Sequence, residues 1–237
     1  MPARANSKRI PDKNIRNILG MPMMYWPLMT VSKLFPAENV LISTDSKKVK
    51  ELAEDKGLTV PFMRPSNLSD DYTSTWSVVA HALAWYEKHV KKVEYVMTVY
   101  PTAVLLNEED IILAMENLCG DQETDSIMSA TTFPFPIQRA IFKNKNGFVE
   151  MFEPQNYDKR SQDFVEAFHD AGQFYLTRSD AVSKGATLTN SRVKIHLLNR
   201  KNVIDIDTME DFFIAEEKLS NHFKATDHIF WNFYEKI

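Results

Sequence analysis

The stretch Val40-Leu41-Ile42-Ser43-Thr44 is short, apolar and rich in β-branched residues, which is typical of a buried strand. A polar helical pattern over Lys47–Lys56 follows it and ends at Gly57. Strands that alternate with helices predict a parallel sheet with right-handed crossovers, so we predict an open α/β layer fold. The alternation continues with strands predicted at 59–63, 95–100 and 126–131, and helices predicted at 75–89 and 107–118.

The pattern changes at Phe133, because the run Phe133-Pro134-Phe135-Pro136 cannot lie inside a central strand. Residues 140–152 predict a hairpin that turns at Asn144–Gly147. We therefore predict one domain over residues 1–237, with an insertion at about 133–175 and a C-terminal extension at 221–237 of unknown role. Later strands are predicted at 174–177, 194–198 and 203–207, and a helix at 208–219.

Composition excludes several classes of protein. The 237 residues include 28 Lys and Arg against 32 Asp and Glu, and this balance argues against a general nucleic-acid binder. The single cysteine, Cys119, allows no internal disulfide, which is compatible with a cytoplasmic location. No apolar run reaches the roughly 18 residues of a membrane span. The N-terminus lacks the apolar core of a signal peptide.

Polar and cationic residues are densest near the N-terminus. A triphosphate needs several cationic donors from one short loop, so these residues are candidates for binding one. The alternative is a basic tail in solvent, although Pro2 and Pro11 restrict this segment. The candidates are Arg4, Ser7, Lys8, Arg9, Lys13 and Asn14.

Two aspartates, Asp205 and Asp207, occupy alternate positions in the predicted strand 203–207 and therefore share a face. Adjacent carboxylates repel each other unless a cation lies between them, and Mg²⁺ with phosphate ligands is a suitable one. The alternative is that Asp207 or Thr208 caps the next helix, with Asp211 completing a capping box. Capping leaves Asp205 without a role.

The second half of the chain carries polar groups suited to a polyhydroxylated carboxylate ligand, although a surface loop is equally polar. They lie at Gln138–Arg139, Arg160–Asp163 and His169–Gln173. Other chemistries are unsupported. The sequence has no dinucleotide-binding glycine fingerprint, no Walker-type phosphate loop and no serine nucleophile elbow.

Read in order, these segments resemble the cytidylyltransferases that activate nonulosonic, sialic-acid-like sugars. The resemblance covers residues 2 to about 217 and rests on 2–14, 43–46, 61–65, 68–71, 100–102 and 205–208. Within that family, 133–140, 160–163 and 169–175 look like the pseudaminic acid branch and not the N-acetylneuraminate branch.

The resemblance implies a Rossmann-like nucleotidyltransferase with a mostly parallel sheet and an inserted β-hairpin that forms a homodimer. It implies transfer of CMP from CTP to a nine-carbon 2-keto acid, giving a CMP-sugar and pyrophosphate for surface glycosylation. Asp205 and Asp207 would hold Mg²⁺, and with Arg4, Lys8 and Lys13 would form the catalytic group. CTP would be bound by Arg4, Ser7, Lys8, Lys13, Asn14 and Arg64. The sugar would contact Gln138, Arg139, Gln162, His169 and Gln173.

Three features depart from the family pattern. Ala5 and Asn6 stand where the family loop has two glycines, in a chain with only 6 glycines. No apolar strand precedes Pro2, which would leave backbone groups unpaired in the core. Pro27 lies inside the expected first helix, where we expect a kink or a shortened helix.

Three alternatives follow from the sequence. The enzyme could activate N-acetylneuraminate or legionaminate instead. A catalytically impaired relative could serve as a binding subunit. The start of the coding sequence could also lie upstream of Met1, so that the chain given lacks its first strand.

Overall fold

The computed structural model describes residues 1–5 and 7–224. Its strands are β1 (Asn17–Ile18), β2 (Met21–Pro22), β3 (Tyr95–Val99), β4 (Ser126–Thr132), β5 (Ile141–Lys143), β6 (Val149–Met151), β7 (Phe168–Arg178) and β8 (Val193–Leu197). Its helices are α1 (Tyr25–Leu34), α2 (Lys47–Asp55), α3 (Thr75–His89), α4 (Glu108–Gly120), α5 (Ser179–Ser183) and α6 (Met209–Lys224).

The main sheet has the order β3-β7-β4-β8. Strands β4 and β8 are parallel, whereas β7 runs antiparallel to both of its neighbours. The α/β class predicted from the alternation is confirmed. The antiparallel strand β7 begins at Phe168, so the last part of the inserted segment belongs to the main sheet.

Helices α1 and α4 pack on the sheet through one apolar cluster that includes Val31, Leu118 and the fully buried Phe174. Helix α4 begins after Asn107, whose side chain accepts the backbone N–H of Asp110 at 2.9 Å, as a capping residue does. Helices α3 and α5 meet in a smaller cluster around Val79, Leu83 and Val182. The hairpin predicted over 140–152 is present as β5 and β6.

The strand predicted at 203–207 is wrong, because this segment is extended but joins no sheet. Its alternation nevertheless remains. Ile206 is fully buried in the cluster that also contains Ile10 and Phe212, while Asp205 and Asp207 keep access to solvent. Packing of the isoleucine therefore orients both carboxylates without ladder hydrogen bonds.

A kink or a shortened helix is expected at Pro27, and the structure places this proline near the start of α1. Helix α1 begins at Tyr25, so Pro27 lies in its first turn, and the helix continues to Leu34. Backbone N–H groups of a first turn have no acceptor inside the helix, so a proline there removes no helical hydrogen bond.

Residues 1–3 form a short extended segment beside residues 41–43. Pro2 makes a parallel bridge with Ser43, and Ser43 N–H donates to the Met1 carbonyl at 2.9 Å. On its other side the 41–44 segment makes parallel bridges to Thr59 and Met63. The 41–44 segment thus lies between residues 1–3 on one side and residues 59–63 on the other.

A cavity of about 410 Å³ lies between the 40–43 segment and strand β3. Residues Tyr95–Val99 line it, and so do Met1 and Pro2 at the N-terminus. In the described part of the chain, β3 pairs with β7 alone. This cavity separates two strand-like segments, the 40–43 segment and β3.

The amino group of Met1 is buried at this cavity and donates to the Leu41 carbonyl at 2.8 Å. Burial, followed by the positive charge of Arg64, lowers the pKa of this amine from 8.0 to about 5. The amine is therefore neutral in the folded protein at pH 7.

We predict that stability depends on pH through this amine. Between pH 5 and 8 the unfolded chain binds more protons than the folded chain, so the free energy of unfolding rises with pH across that window. The full effect is at most about 4 kcal/mol. Thermal melts at pH 8 and pH 5.5 measure it.

Two N-terminal extensions of five residues separate the effect of the Met1 charge from the effect of filling the cavity. Both convert the Met1 amine into an uncharged amide. Either extension should remove this pH dependence. Only an apolar, β-branched extension should also fill the cavity, and it should raise Tm by about 5 °C above a Gly/Ser extension. Equal melting temperatures for the two extensions would show that the cavity does not accept a strand.

Candidate active site

The N-terminal loop, residues 4–14, is tied down at several points. Asn14 donates its side-chain amide to the Arg4 carbonyl at 2.9 Å, which closes the loop. The Ala5 backbone N–H donates to an Asp45 carboxylate oxygen at 2.7 Å. These bonds argue against the alternative of a basic tail in solvent.

Ala5, which stands where the family loop has a glycine, shows no backbone strain. Among the described residues other than glycine, only Asp12 and Leu19 have a positive φ. Asn6, the second position that departs from the family loop, lies outside the described residues. The backbone at Ala5 is therefore not left-handed, and its methyl group causes no steric conflict of that kind.

Two cations of this loop bind one carboxylate, that of Asp71. Arg4 lies 2.7 Å from one oxygen of Asp71, and Lys8 binds the other oxygen. The ammonium of Lys8 and the guanidinium of Arg4 lower the pKa of Asp71. The neighbouring Asp70 builds the supporting turn by accepting the Thr73 N–H at 2.7 Å.

The other two cations of the loop bind Asp207. Arg9 lies 2.6 Å from an Asp207 carboxylate oxygen, and Lys13 lies 3.3 Å from the same oxygen. Lys13 also donates to the Ile206 carbonyl at 2.6 Å. Its side chain is only 19% exposed, so Lys13 firmly joins the N-terminal loop to the 203–207 segment.

The capping alternative applies to Thr208 and not to Asp207. The Asp211 carboxylate accepts the Thr208 N–H at 2.7 Å, and the Asp211 N–H donates to the Thr208 hydroxyl at 3.2 Å. This reciprocal pair caps α6. The carboxylates of Asp205 and Asp207 take no part in this cap.

Partial burial, followed by the negative charge of Asp207, raises the pKa of Asp205. A cation between the two carboxylates would relieve that repulsion. Among the described residues, no group of three or more His, Cys, Asp or Glu side chains is arranged to hold a metal ion. Two carboxylates nevertheless suit Mg²⁺, which usually keeps waters and substrate phosphates as its other ligands.

Arg64 lies in the protein interior beside Ser43 and not on the solvent-exposed surface. It is only 7% exposed, and its guanidinium donates to the hydroxyl and the carbonyl of Ser43. Burial lowers the pKa of Arg64. This position suits a role in placing the loop better than the predicted contact with CTP.

Two of the predicted sugar-binding residues bond within the inserted segment. Gln138 donates to the Val165 carbonyl at 2.9 Å, and Arg139 donates to the Lys159 carbonyl. Gln162 lies exposed in a short turn of the same segment. These bonds brace the insertion.

The other two lie on β7. A ring nitrogen of His169 lies 2.8 Å from the Asp170 carbonyl. Gln173 is only 3% exposed and donates to the Asn202 carbonyl at 2.6 Å. Gln173 therefore holds the turn that leads to Asp205, and it does not face solvent.

No individual role is predicted for Asp71, although Arg9 is among the predicted cations and Asp170 lies in the predicted polar stretch His169–Gln173. The signal for Asp71 was available, because the motif Leu68–Asp71 is part of the resemblance. The pairing of Arg4 with Asp71 joins residues 67 positions apart, and only the fold shows it.

A family model described as cytidylyltransferase matches residues 1–159. The chain belongs to the cytidylyltransferase family. It is 37% identical over 216 residues to a pseudaminic acid cytidylyltransferase of Campylobacter jejuni, with 91% of this chain and 93% of the relative covered. It is 24% identical to a CMP-N,N'-diacetyllegionaminic acid synthase of Legionella pneumophila, with 92% of this chain and 93% of the relative covered.

Solved structures agree on the fold. A CMP:2-keto-3-deoxy-manno-octonic acid synthetase complexed with CTP superposes with a TM-score of 0.70 at 12% identity, covering 93% of this chain and 97% of the other. The predicted fold and the nucleotidyltransferase class of enzyme are confirmed. None of the described helices is long and apolar enough to cross a membrane.

We predict that Asp71 competes with the phosphates of CTP for Arg4 and Lys8. Replacing Asp71 by Asn should free both cations and tighten CTP binding about three- to tenfold, or roughly 0.7–1.4 kcal/mol. Calorimetric titration with CTP measures this. Asp180→Asn is the matched control, since Asp180 pairs with Lys184 on α5 and not with this loop, and this variant should bind CTP unchanged. Weaker binding by Asp71→Asn would mean that Asp71 positions the cations instead.

Proposed function

We propose that this enzyme transfers CMP from CTP to pseudaminic acid, giving CMP-pseudaminic acid and pyrophosphate. The observation that carries the proposal is Lys13, which joins the cationic N-terminal loop to the carboxylate pair Asp205 and Asp207. Cations for a triphosphate and ligands for its metal ion thus meet in one place. The choice of sugar is supported by the relative of 37% identity.

Catalysis by these residues is mostly positioning and neutralisation of charge. Arg4 and Lys8 would hold phosphate oxygens at one end of the loop, and Arg9 and Lys13 at the other. Asp205 and Asp207 would hold Mg²⁺, which supplies positive charge beside the reacting phosphate. The bonds of Asn14 and Arg64 would keep the loop in place.

Two alternatives remain as proposals. Activation of legionaminate is supported by the Legionella relative, but the identity there is 24% and not 37%. A binding subunit without turnover was suggested by the altered loop. The tied loop and the relaxed backbone at Ala5 favour an active enzyme. We place the reaction in the cytoplasm, where a single thiol such as Cys119 stays reduced.

The decisive assay is release of pyrophosphate from CTP with Mg²⁺ and one sugar at a time. Pseudaminic acid should support turnover, whereas N-acetylneuraminate and legionaminate should not. Asp205→Asn and Asp207→Asn should each lower kcat by at least about 100-fold, because each loses a metal ligand. Asp180→Asn, on an exposed surface pair with Lys184, should turn over like the wild type.

Other results would change the proposal in defined ways. Turnover with legionaminate alone would show that the enzyme activates legionaminate instead of pseudaminic acid. Binding of CTP without turnover on any of the three sugars would favour the binding subunit.

We also propose that two copies of the chain associate through the β5–β6 hairpin. Apolar side chains are exposed on and beside it, and contiguous apolar surface of this kind marks interaction sites. Phe148 is 70% exposed and Phe152 is 67% exposed. The exposed set also includes Ile141 and Val149.

We predict that the double variant Phe148→Ser, Val149→Thr is monomeric at concentrations where the wild type sediments as a dimer. The polar side chains would remove the apolar contact without changing the hairpin turn. Tyr72→Ser is the control, because Tyr72 is 95% exposed but lies on another loop. A wild type that sediments as a monomer at all concentrations would contradict the prediction.

A further inference from the structure

The pairing of β7 with β4 is interrupted beside the site. Tyr175 pairs with Met128 and Asp170 pairs with Ala130, so four residues of β7, 171–174, lie opposite Ser129 alone. The Ser129 hydroxyl accepts the Phe174 N–H at 3.0 Å inside this bulge. Such bulges change the direction in which nearby side chains point.

Gly172 brings the bulge against Asp205. It has a φ of +63°, which favours glycine, and a Cβ there would lie 3.8 Å from an Asp205 carboxylate oxygen. After burial and the charge of Asp207, the charge of Asp170 also raises the pKa of Asp205. The backbone two residues after Asp170 therefore lies against the Asp205 carboxylate.

Both oxygens of Asp170 are held. One accepts the Gly172 N–H at 2.8 Å, and the other accepts the Tyr175 hydroxyl. The Tyr175 ring packs against Trp76 and Tyr100, with ring centroids 5.5 and 5.9 Å away. Burial raises the pKa of Tyr175 far above its usual range, so its hydroxyl stays a donor.

Asp170 differs from Asp71 and Asp207 in its partners. Within residues 1–5 and 7–224, no Lys or Arg lies within ion-pair distance of Asp170, whereas Asp207 binds Arg9 and Lys13. The neighbouring His169 contacts the Asp170 carbonyl and not its carboxylate. Asp170 is thus an oriented, solvent-exposed carboxylate that no cation neutralises.

We propose that Asp170 accepts the proton of the sugar hydroxyl that attacks CTP, with Tyr175 as its positioning residue. This inference rests on the proposed function. The hydroxyl oxygen forms a bond to the α-phosphorus, and the bond from that phosphorus to the bridging oxygen breaks. Pyrophosphate leaves with the electron pair, and the hydroxyl proton moves to the Asp170 carboxylate.

The test combines Asp170→Asn, Asp170→Ala and Tyr175→Phe with the pyrophosphate assay. Loss of a general base should lower kcat of both Asp170 variants about 10²- to 10⁴-fold, while calorimetric CTP affinity stays within twofold of the wild type. Formate should restore part of the rate of Asp170→Ala but not of Asp205→Asn. Tyr175→Phe should lower kcat about tenfold without changing KM for CTP.

Asp158→Asn is the matched control, an exposed aspartate of the same inserted segment that should keep full activity. Thermal melts establish that each variant folds. If Asp170→Ala does not fold, Asp170→Asn still tests the inference, because asparagine keeps the shape of the side chain. A kcat of Asp170→Asn within threefold of the wild type overturns the inference. Loss of CTP affinity in step with kcat, or no rescue by formate, also overturns it. A wild type inactive on every sugar would instead refute the proposed function.

Discussion

The bond network of Lys13 is the interaction on which the site depends. Its ammonium donates to the Ile206 carbonyl and lies beside Asp207. These two residues follow Lys13 by 193 and 194 positions in the sequence. Arg9 and Lys13 would repel each other without Asp207, and Asp207 repels the neighbouring Asp205. The two cations and the carboxylate of Asp207 neutralise each other, while all three side chains keep access to solvent.

The edge of the main sheet imposes a second constraint. Residues 1–3 supply only the end of a strand beside Ser43, and a cavity fills the space toward β3. The fold tolerates this because apolar side chains line the cavity and the Met1 amine loses its charge there. The loop that follows is held by the bond from the Ala5 N–H to Asp45 and by the bond from the Asn14 side chain to the Arg4 carbonyl.

Most helices and strands could be predicted from periodicity, since local packing decides them. Helix α3 has the predicted bounds, and α4 follows the predicted Asn107 cap. The segment 203–207 was predicted as a strand because Ile204 and Ile206 alternate with aspartates, yet pairing needs a neighbouring edge that the fold does not provide. Pro27 was expected to interrupt α1, and the helix instead begins so that Pro27 lies in its first turn.

The sequence by itself determined the α/β class, the family and the residue types of the site, because these depend on local pattern and on motifs. Tertiary structure alone decided which charges meet. Asp71 faces Arg4, Lys13 faces Asp207, and the bulge of β7 brings Gly172 against the Asp205 carboxylate. Gln173, predicted to face the sugar, is buried for the same reason. Contacts between distant residues follow from how strands and loops pack, and local sequence patterns do not predict that packing.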